Sequence, residues 1–248
     1  MTRKFVFLLI FFFGVPIQLV CAELKLTTLE WAPYVYNHSD QGYVAQLVKM
    51  AFANSNYEVK LSFFPWARAL RVASNGTFAG YFPEYYSEQR SEEFYFSESF
   101  PAAPLVLFKR KKDVIEYSNL RDLEPYTIAV VTGYVNTEEF DKATYLKKEK
   151  TTSDLQNFKM LMAGRVDLVV ADKYVGYYLV KNYLPESLQF IDVIDPPLDR
   201  KKLYLCVSKK HPDAVMILQA FNNGLYNMRN NGFLENLTQR FFSQNDIH

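Results

Sequence analysis

Residues 82–100 read Phe-Pro-Glu-Tyr-Tyr-Ser-Glu-Gln-Arg-Ser-Glu-Glu-Phe-Tyr-Phe-Ser-Glu-Ser-Phe, and they carry the most specific pattern in the chain. One arginine, Arg90, lies among glutamates and aromatic rings, so it could form surface ion pairs with Glu84, Glu88 or Glu93. Aromatic residues make up 17% of the chain, which is more ring surface than an average core requires. Part of that ring surface is therefore expected to line a binding site.

The residues before this stretch alternate between strand and helix patterns. Short apolar runs predict strands at 24–29 and 57–63, and helical spacing predicts a helix at 43–54 between them. Pro65 suits a first helical position, and Asn75-Gly76 is a helix stop, so a second helix is expected from 65 to 75. The pattern is that of a β-α-β unit.

A second α/β unit follows from Leu123, without any sequence repeat. Its strands are predicted at 127–131 and 166–171, and its helices at 136–146, 153–163 and 172–183. The tail holds a further apolar run at 203–207 and two helices, one after Asp213 and one after Gly232.

Two charged and polar segments, 109–113 and 195–202, flank this second unit. Since the strand pattern resumes after the second segment, the chain is predicted to leave one lobe, build another and return. We expect an α/β fold with lobe 1 at 23–109 plus 203–248 and lobe 2 at 110–202, each a mixed sheet flanked by helices. A cleft crossed by two linkers is the usual place for a small ligand. The alternative is a single α/β domain with basic loops.

Residues 1–22 have the organisation of a secretory signal peptide, with Arg3 and Lys4 before an apolar run that ends at Val20. The run is shorter than the roughly 20 residues that span a bilayer. Cleavage is expected after Ala22, which predicts a periplasmic protein. An uncleaved anchor and a lipid anchor at Cys21 are the alternatives.

Composition argues against several classes of function. The formal charge of +1 gives no electrostatic footprint for nucleic acid. None of the three histidines has a partner at metal-ligand spacing, and the glycine motifs of hydrolases, nucleotide-hydrolysing enzymes and dinucleotide-binding domains are missing from the sequence. We therefore expect no metal and no cofactor. Cys206, in an apolar run, is expected to be buried as a small hydrophobe.

The quoted stretch resembles a known family. Ser87-Glu88-Gln89-Arg90, followed by Phe96-Ser97 and Phe100, resembles the Thr-x-x-Arg and Phe-Ser-x-Pro-Tyr signature of the family 3 extracellular solute-binding proteins. These are the periplasmic amino-acid receptors of ABC importers and related sensor domains. The resemblance implies the two-lobe periplasmic binding protein fold of type II, which closes on a ligand by hinge motion.

Three further segments agree with that resemblance. Trp31-Ala32-Pro33-Tyr34 resembles the family's aromatic loop after the first strand, and the run from Gly164 to Asp172 resembles its Gly-Arg-x-Asp strand. Pro65-Trp66-Ala67-Arg68-Ala69 resembles a subset whose ligands are mostly unassigned. The resemblance spans the chain after the predicted signal peptide.

The resemblance implies roles for two charged residues. Arg90 would bind a ligand carboxylate and Asp172 its ammonium group, one from each lobe. A guanidinium matches a carboxylate bidentately, and an acid at the carboxyl end of a strand faces the crevice of an α/β sheet. The alternatives are the ion pairs named above for Arg90 and helix N-capping for Asp172.

The resemblance also implies a ring-lined pocket, with Trp31 stacking on the ligand. Trp66 and Tyr81 could equally be core residues, and Arg68 could be solvated. The chain departs from the family's pattern at Pro83, Tyr85 and Tyr134, where small hydroxyl residues are usual. An atypical amino acid, a peptide fragment and another small polar molecule all stay open as ligands. Besides Arg90 and Asp172, the expected binding residues are Trp31, Tyr34, Trp66, Arg68, Tyr85 and Tyr134.

The expected function is a monomeric solute-binding protein that delivers a small polar ligand to a membrane permease or sensor protein, without bond chemistry. One alternative is an exported enzyme of dehydratase or lyase type on the same scaffold, with Glu84 or Lys173 as the proton-transfer group. Another is a ligand-free interaction module that acts only on a membrane sensor.

Overall fold

The structure is a computed structural model that describes residues 21–38 and 42–245. The predicted signal peptide, apart from Cys21 and Ala22, lies outside these residues, as does His248. Within the described ranges, no helix combines the length and the apolar character that a membrane crossing needs.

Strands and helices alternate along most of the described chain. The strands are β1 (Ala22–Thr28), β2 (Tyr57–Phe63), β3 (Gly80–Glu84), β4 (Phe94–Phe96), β5 (Phe100–Arg110), β6 (Thr127–Val131), β7 (Lys147–Thr151), β8 (Leu168–Asp172) and β9 (Ile191–Ser208). The α-helices are α1 (Gly42–Ala51), α2 (Trp66–Ser74), α3 (Glu88–Glu93), α4 (Glu138–Lys142), α5 (Asp154–Met162), α6 (Lys173–Tyr183), α7 (Ala214–Asn230) and α8 (Phe233–Asn245). Short 3₁₀ helices lie at Leu120–Leu123 and Pro185–Phe190.

The strands pair in the order β2-β1-β3-β9-β5-β8-β6-β7, with β4 also beside β9. β1 is parallel to β2 and β3, and β6 is parallel to β7 and β8. β9 is antiparallel to β3, β4 and β5. The architecture is therefore mixed α/β, with two parallel groups of strands joined through long antiparallel strands.

The strands β5 and β9 connect the two groups. They pair from Phe100 opposite Leu203 to Arg110 opposite Ile191. After Leu203, the carboxyl-terminal part of β9 pairs with β3 and β4. On its other edge, Leu105–Lys109 of β5 pairs with β8. The segment predicted as a linker at 195–202 thus lies inside β9, whereas the one at 109–113 begins at the end of β5 and continues into a turn.

Local sequence signals account for most element boundaries. The predicted strands at 57–63 and 127–131 match β2 and β6. Pro65 takes the N-cap position of α2 rather than its first turn. The helix predicted at 136–146 is wrong beyond Lys142, because the chain turns there into β7. The polar sequence of β7, Lys-Lys-Glu-Lys-Thr, lies at the sheet edge and shows no apolar alternation.

Two clusters of buried residues form the core. The larger cluster includes β1, α1 and α7, and the smaller one lies between β8, α5 and α6. In the smaller cluster the Phe108 ring packs edge-on against Phe158, with ring centroids 5.0 Å apart. Cys206 is fully buried in β9, as the sequence predicts.

Candidate ligand-binding site

The predicted site residues follow the carboxyl ends of five different strands. Trp31 and Tyr34 come after β1, Trp66 after β2, Tyr134 after β6, and Asp172 ends β8. Glu84 ends β3, and Tyr85 follows it directly. The crevice beyond the carboxyl ends of strands is where open α/β sheets bind ligands. The fold therefore gathers these side chains at one place.

Asp172 contacts residues that follow strands of both parallel groups. Its Oδ1 accepts hydrogen bonds from the backbone N–H groups of Tyr174 (2.9 Å) and Val175 (3.2 Å), so it caps α6. The Tyr34 hydroxyl donates to Oδ1 at 3.2 Å and to Oδ2 at 3.0 Å, and the Tyr85 hydroxyl donates to Oδ2 at 3.3 Å. Burial raises the pKa of Asp172 to about 7, although these hydrogen bonds lower it.

Arg90 is held by groups of the chain itself. Its Nε lies 3.1 Å from Oε2 of Glu84, and its Nη2 donates to the backbone carbonyl of Gly133 at 2.9 Å. The ion pair with Glu84, one of the sequence-based alternatives, is therefore present. Binding of a ligand carboxylate by Arg90 stays a prediction. Arg90 and Asp172 are linked indirectly, through the neighbours Glu84 and Tyr85.

Glu84 is a buried carboxylate at the centre of the site, with 4% of its surface exposed. Besides Arg90, the Tyr81 hydroxyl donates to Oε2 at 3.0 Å and the Tyr85 N–H donates to Oε1 at 3.0 Å. Burial raises the pKa of Glu84 to about 7, and the charge of Arg90 opposes that rise. The sequence predicts Glu84 as an ion-pair partner of Arg90 or, in the enzyme alternative, as the proton-transfer group. The signal for its burial is its position at the end of the apolar strand β3.

Asp154 belongs to the same site and was not predicted. It is the first residue of α5 and has 6% of its surface exposed. The Tyr134 hydroxyl donates to its Oδ2 at 3.1 Å, whereas its Oδ1 is buried and has no hydrogen-bond partner among the described residues. Burial raises its pKa to about 6, while Tyr134 and Trp31 lower it. An acid in a first helical turn is too common for the sequence to single it out.

The aromatic residues form two groups around these carboxylates. Trp31 stacks on Tyr34 with ring centroids 4.8 Å apart and meets Tyr85 edge-on at 6.2 Å. Trp66 meets Tyr134 edge-on at 5.9 Å and donates from Nε1 to the Gly133 carbonyl at 3.0 Å. The aromatic rings thus bridge residues after β1, β2 and β3 to residues after β6.

Arg68 is the predicted site residue that the structure does not bring to this cluster. It is exposed on α2, and its guanidinium lies 4.6 Å from the centre of the Phe64 ring. Its backbone N–H donates to the carbonyl of Pro65 at 2.8 Å. A ligand-binding role for Arg68 stays a prediction that these contacts do not favour.

The space inside the site is small. A pocket with a free volume of about 30 Å³ has room for about one or two water molecules. A neighbouring groove of about 1010 Å³ includes Arg90, Tyr134 and Lys201 in its walls. The small pocket is lined by Leu29, Trp31, Trp66, Pro83, Glu84, Tyr85, Tyr134, Val135 and Leu203.

No metal centre is evident in the described part of the chain, since no three His, Cys, Asp or Glu side chains there are grouped so as to hold an ion. The site thus consists of three buried carboxylates, one guanidinium and a set of aromatic rings. It can bind a small polar or charged molecule through ionic hydrogen bonds and ring contacts.

Comparison with known proteins gives a family and a fold. The model of the bacterial extracellular solute-binding proteins, family 3, matches residues 25–244. A search of curated proteins finds no match.

Solved structures share the fold at low sequence identity. An ancestral arginine-binding protein bound to arginine is 18% identical with a TM-score of 0.77, and the match covers 90% of this chain and 99% of that chain. A histidine kinase sensor domain similar to periplasmic binding proteins is 16% identical with a TM-score of 0.78, covering 89% and 96%. The Streptococcus mutans structure that describes glutathione import through GshT is 21% identical with a TM-score of 0.74, covering 92% and 97%. The predicted periplasmic binding protein fold of type II is confirmed.

Proposed function

Because the chain belongs to the bacterial extracellular solute-binding proteins, family 3, we propose that it captures a small polar, amino-acid-like ligand between two lobes and delivers it to a membrane permease or sensor. The observation that carries this proposal is the contact of Tyr34 and Tyr85 with Asp172. These residues come from strands of the two different groups, so the carboxyl ends of both groups face one cleft.

The proposed lobes are 23–109 with 203–248, and 110–202. Strand pairing supports a crossing through β5 and β9. The pairing of Leu105–Lys109 with β8 supports a boundary a few residues before Lys109. The crossing strands would act as the hinge.

Closure is proposed to depend on hydrogen bonds that join the lobes. Arg90 and Trp66 both donate to the Gly133 carbonyl, and Tyr34 and Tyr85 both donate to Asp172. A ligand shifts the open–closed equilibrium only by the difference between its affinities for the two states. It must therefore make better contacts in the closed cleft than these internal hydrogen bonds do.

Two structural neighbours support the two kinds of membrane partner. One neighbour is the substrate-binding protein of an amino acid ABC transporter, and another is the sensor domain of a histidine kinase. We propose a periplasmic monomer, released by cleavage after Ala22, that serves one of these partners.

Two measurements test the proposal. Native mass spectrometry of gently purified protein should reveal a bound small molecule, and one member of a panel of amino acids, amines and short peptides should raise the melting temperature. Arg90→Ala or Asp172→Asn should remove most of that gain. Asparagine preserves the cap of α6, so loss of ligand response would not merely report a lost helix cap. Unchanged binding in both variants, or no response to the whole panel, would count against the site.

One observation favours an exported enzyme of dehydratase or lyase type as the second candidate. Glu84 is buried in the cleft and burial raises its pKa to about 7, which suits a general acid or base. Mass spectrometry of the ligand after incubation separates the two candidates. A binding protein returns the ligand unaltered, whereas an enzyme converts it and Glu84→Gln abolishes the conversion.

A further inference from the structure

The acids buried in the cleft outnumber the cations that contact them in the described structure. Glu84, Asp154 and Asp172 are each at least nine-tenths buried, with 4%, 6% and 3% of their surfaces exposed. The cation that contacts one of them in the described structure is the half-buried Arg90, which pairs with Glu84. Asp154 and Asp172 accept hydrogen bonds from neutral hydroxyl, indole and backbone donors in that part of the chain. Two buried carboxylates thus lack a positive partner.

Lys201 is a second cation that lies close to an aromatic ring of the site. Its ammonium nitrogen lies 5.9 Å from the centre of the Tyr85 ring, but it pairs with Asp199 at 2.9 Å. Lys201 therefore does not neutralise Asp154 or Asp172. Its position does show that a cation can lie against a ring of this site.

Arg90 is already neutralised. Its Nε is engaged by Glu84 and its Nη2 by the Gly133 carbonyl. A guanidinium can bind a carboxylate through two parallel N–H groups, and Glu84 competes with a ligand carboxylate for those of Arg90. A ligand carboxylate entering here would also face the acidic groups of Glu84, Asp154 and Asp172, which repel it whenever they are ionised.

One acceptor and two rings beside the small pocket suit a positive charge. Asp154 Oδ1 is buried and has no hydrogen-bond partner among the described residues, which leaves a strong acceptor free for a donor. Trp31 and Tyr134 lie against the same carboxylate and also line the small pocket. The faces of such rings attract ammonium and guanidinium groups.

From these contacts we infer that the ligand is an organic cation, either an amine or a guanidine, and that its binding does not require a carboxylate. Glu84 sets this preference because it already pairs with Arg90. This inference rests on the proposed function of the cleft. The ammonium or guanidinium group supplies the charge that Asp154 and Asp172 lack, and the aromatic rings enclose its carbon chain.

Matched pairs of compounds test the inference. Each pair is an amino acid and the amine that remains after its carboxylate is removed: arginine with agmatine, lysine with cadaverine, and ornithine with putrescine. Calorimetric titration of the ligand-free full chain at pH 8 should give an amine that binds at least tenfold more tightly than its amino acid. An amino acid that binds as tightly as its amine, or a co-purified ligand without a cationic group, overturns the inference but leaves the proposed function standing. If no compound of any class binds, the proposed function fails and the inference fails with it.

Variants assign the effect to the residues. Asp154→Asn and Asp172→Asn should each weaken amine binding about tenfold or more, as expected for loss of a hydrogen bond to a charged group. Glu84→Gln should shift the ratio of the two affinities about tenfold toward the amino acid, because Arg90 is then free. Glu93→Gln is the matched control, because Glu93 is an exposed acid on α3, the helix that carries Arg90. This variant should change neither affinity. A ratio that Glu84→Gln leaves unchanged, in a variant that melts cooperatively, overturns the role of Glu84.

Discussion

Asp172 ends a strand, caps a helix and accepts hydrogen bonds from two tyrosines at the same time. Each contact uses a neutral donor, so burial outweighs them and the pKa of the carboxyl rises to about 7. Burial also outweighs the hydrogen bonds of Asp154, with a pKa of about 6, and it outweighs even the charge of Arg90 at Glu84, with a pKa of about 7. At the scale of single residues, the site is therefore a set of acids that hold protons more strongly in the folded chain than in the unfolded one.

This gives the ligand-free protein a defined pH dependence. A carboxyl whose folded pKa lies above its unfolded value contributes stability that is fully present below the unfolded pKa. That contribution is lost as pH rises through the folded pKa, here about 6 to 7. The melting temperature should therefore be higher near pH 5 than near pH 8 by several degrees, since 1 kcal/mol corresponds to about 2–4 °C at this size.

Asp172→Asn assigns part of that dependence to one group. The amide does not titrate and still caps α6, so the variant should show a smaller drop in melting temperature between pH 5 and pH 8 than the parent protein. Scanning calorimetry at both pH values makes the comparison. Equal drops in parent and variant would show that Asp172 does not carry a raised pKa.

At the scale of elements, the contact between α1 and α7 is unusually close. A Cβ added at Gly224 would lie 1.7 Å from the carbonyl oxygen of Ala51, and real Cβ atoms do not approach backbone oxygen so closely. α7 thus packs on α1 only because it carries glycine at this position. Gly224 is the residue on which the approach of the two helices depends.

Gly224→Ala should force the two helices apart and destabilise the fold by about 1–3 kcal/mol, the usual cost of overpacking. Asn223→Ala is the matched control, because Asn223 is the exposed neighbour of Gly224 on the same helix. Thermal melts of both variants test the contact. If Gly224→Ala melts at or above the parent temperature, as better helix propensity alone would predict, the close approach is not as described.

At the scale of the whole molecule, hydrogen bonds join the two strand groups beside a pocket of about 30 Å³. Tyr34 and Tyr85 supply the hydroxyl donors to Asp172, and Arg90 and Trp66 supply the donors to the Gly133 carbonyl. The long strands β5 and β9 carry the chain between the groups. In the proposed hinge motion, the balance between open and closed forms depends on a few polar contacts together with ring packing.

Removing two of those donors should open the molecule. The double variant Tyr34→Phe and Tyr85→Phe keeps the rings but loses both hydroxyls, so the ligand-free protein should show a larger radius of gyration in small-angle X-ray scattering. Tyr226→Phe, at an exposed ring, is the control and should not change it. An unchanged radius in the double variant would mean that these hydrogen bonds do not hold the cleft closed.

The amino-acid sequence by itself determined the α/β class, the family and most of the helices. These depend on short-range patterns: the alternation in β2, the capping Ser153 before α5, and the Ser87-to-Arg90 spacing at α3. Such patterns lie within a few residues of one another and can be read locally. The strand β7 was missed because its side chains are polar and its pairing partner lies elsewhere in the chain.

Only the tertiary structure decided what the site residues contact. That Glu84 rather than a ligand engages Arg90, that Asp154 is buried beside Tyr134, and that two tyrosines reach Asp172 all depend on contacts across the fold. Residues far apart in sequence leave no local pattern when they meet, and an acid reads the same whether it is solvated or buried. Burial and charge pairing, which set the chemistry of this cleft, exist only once the strands have brought their carboxyl ends together.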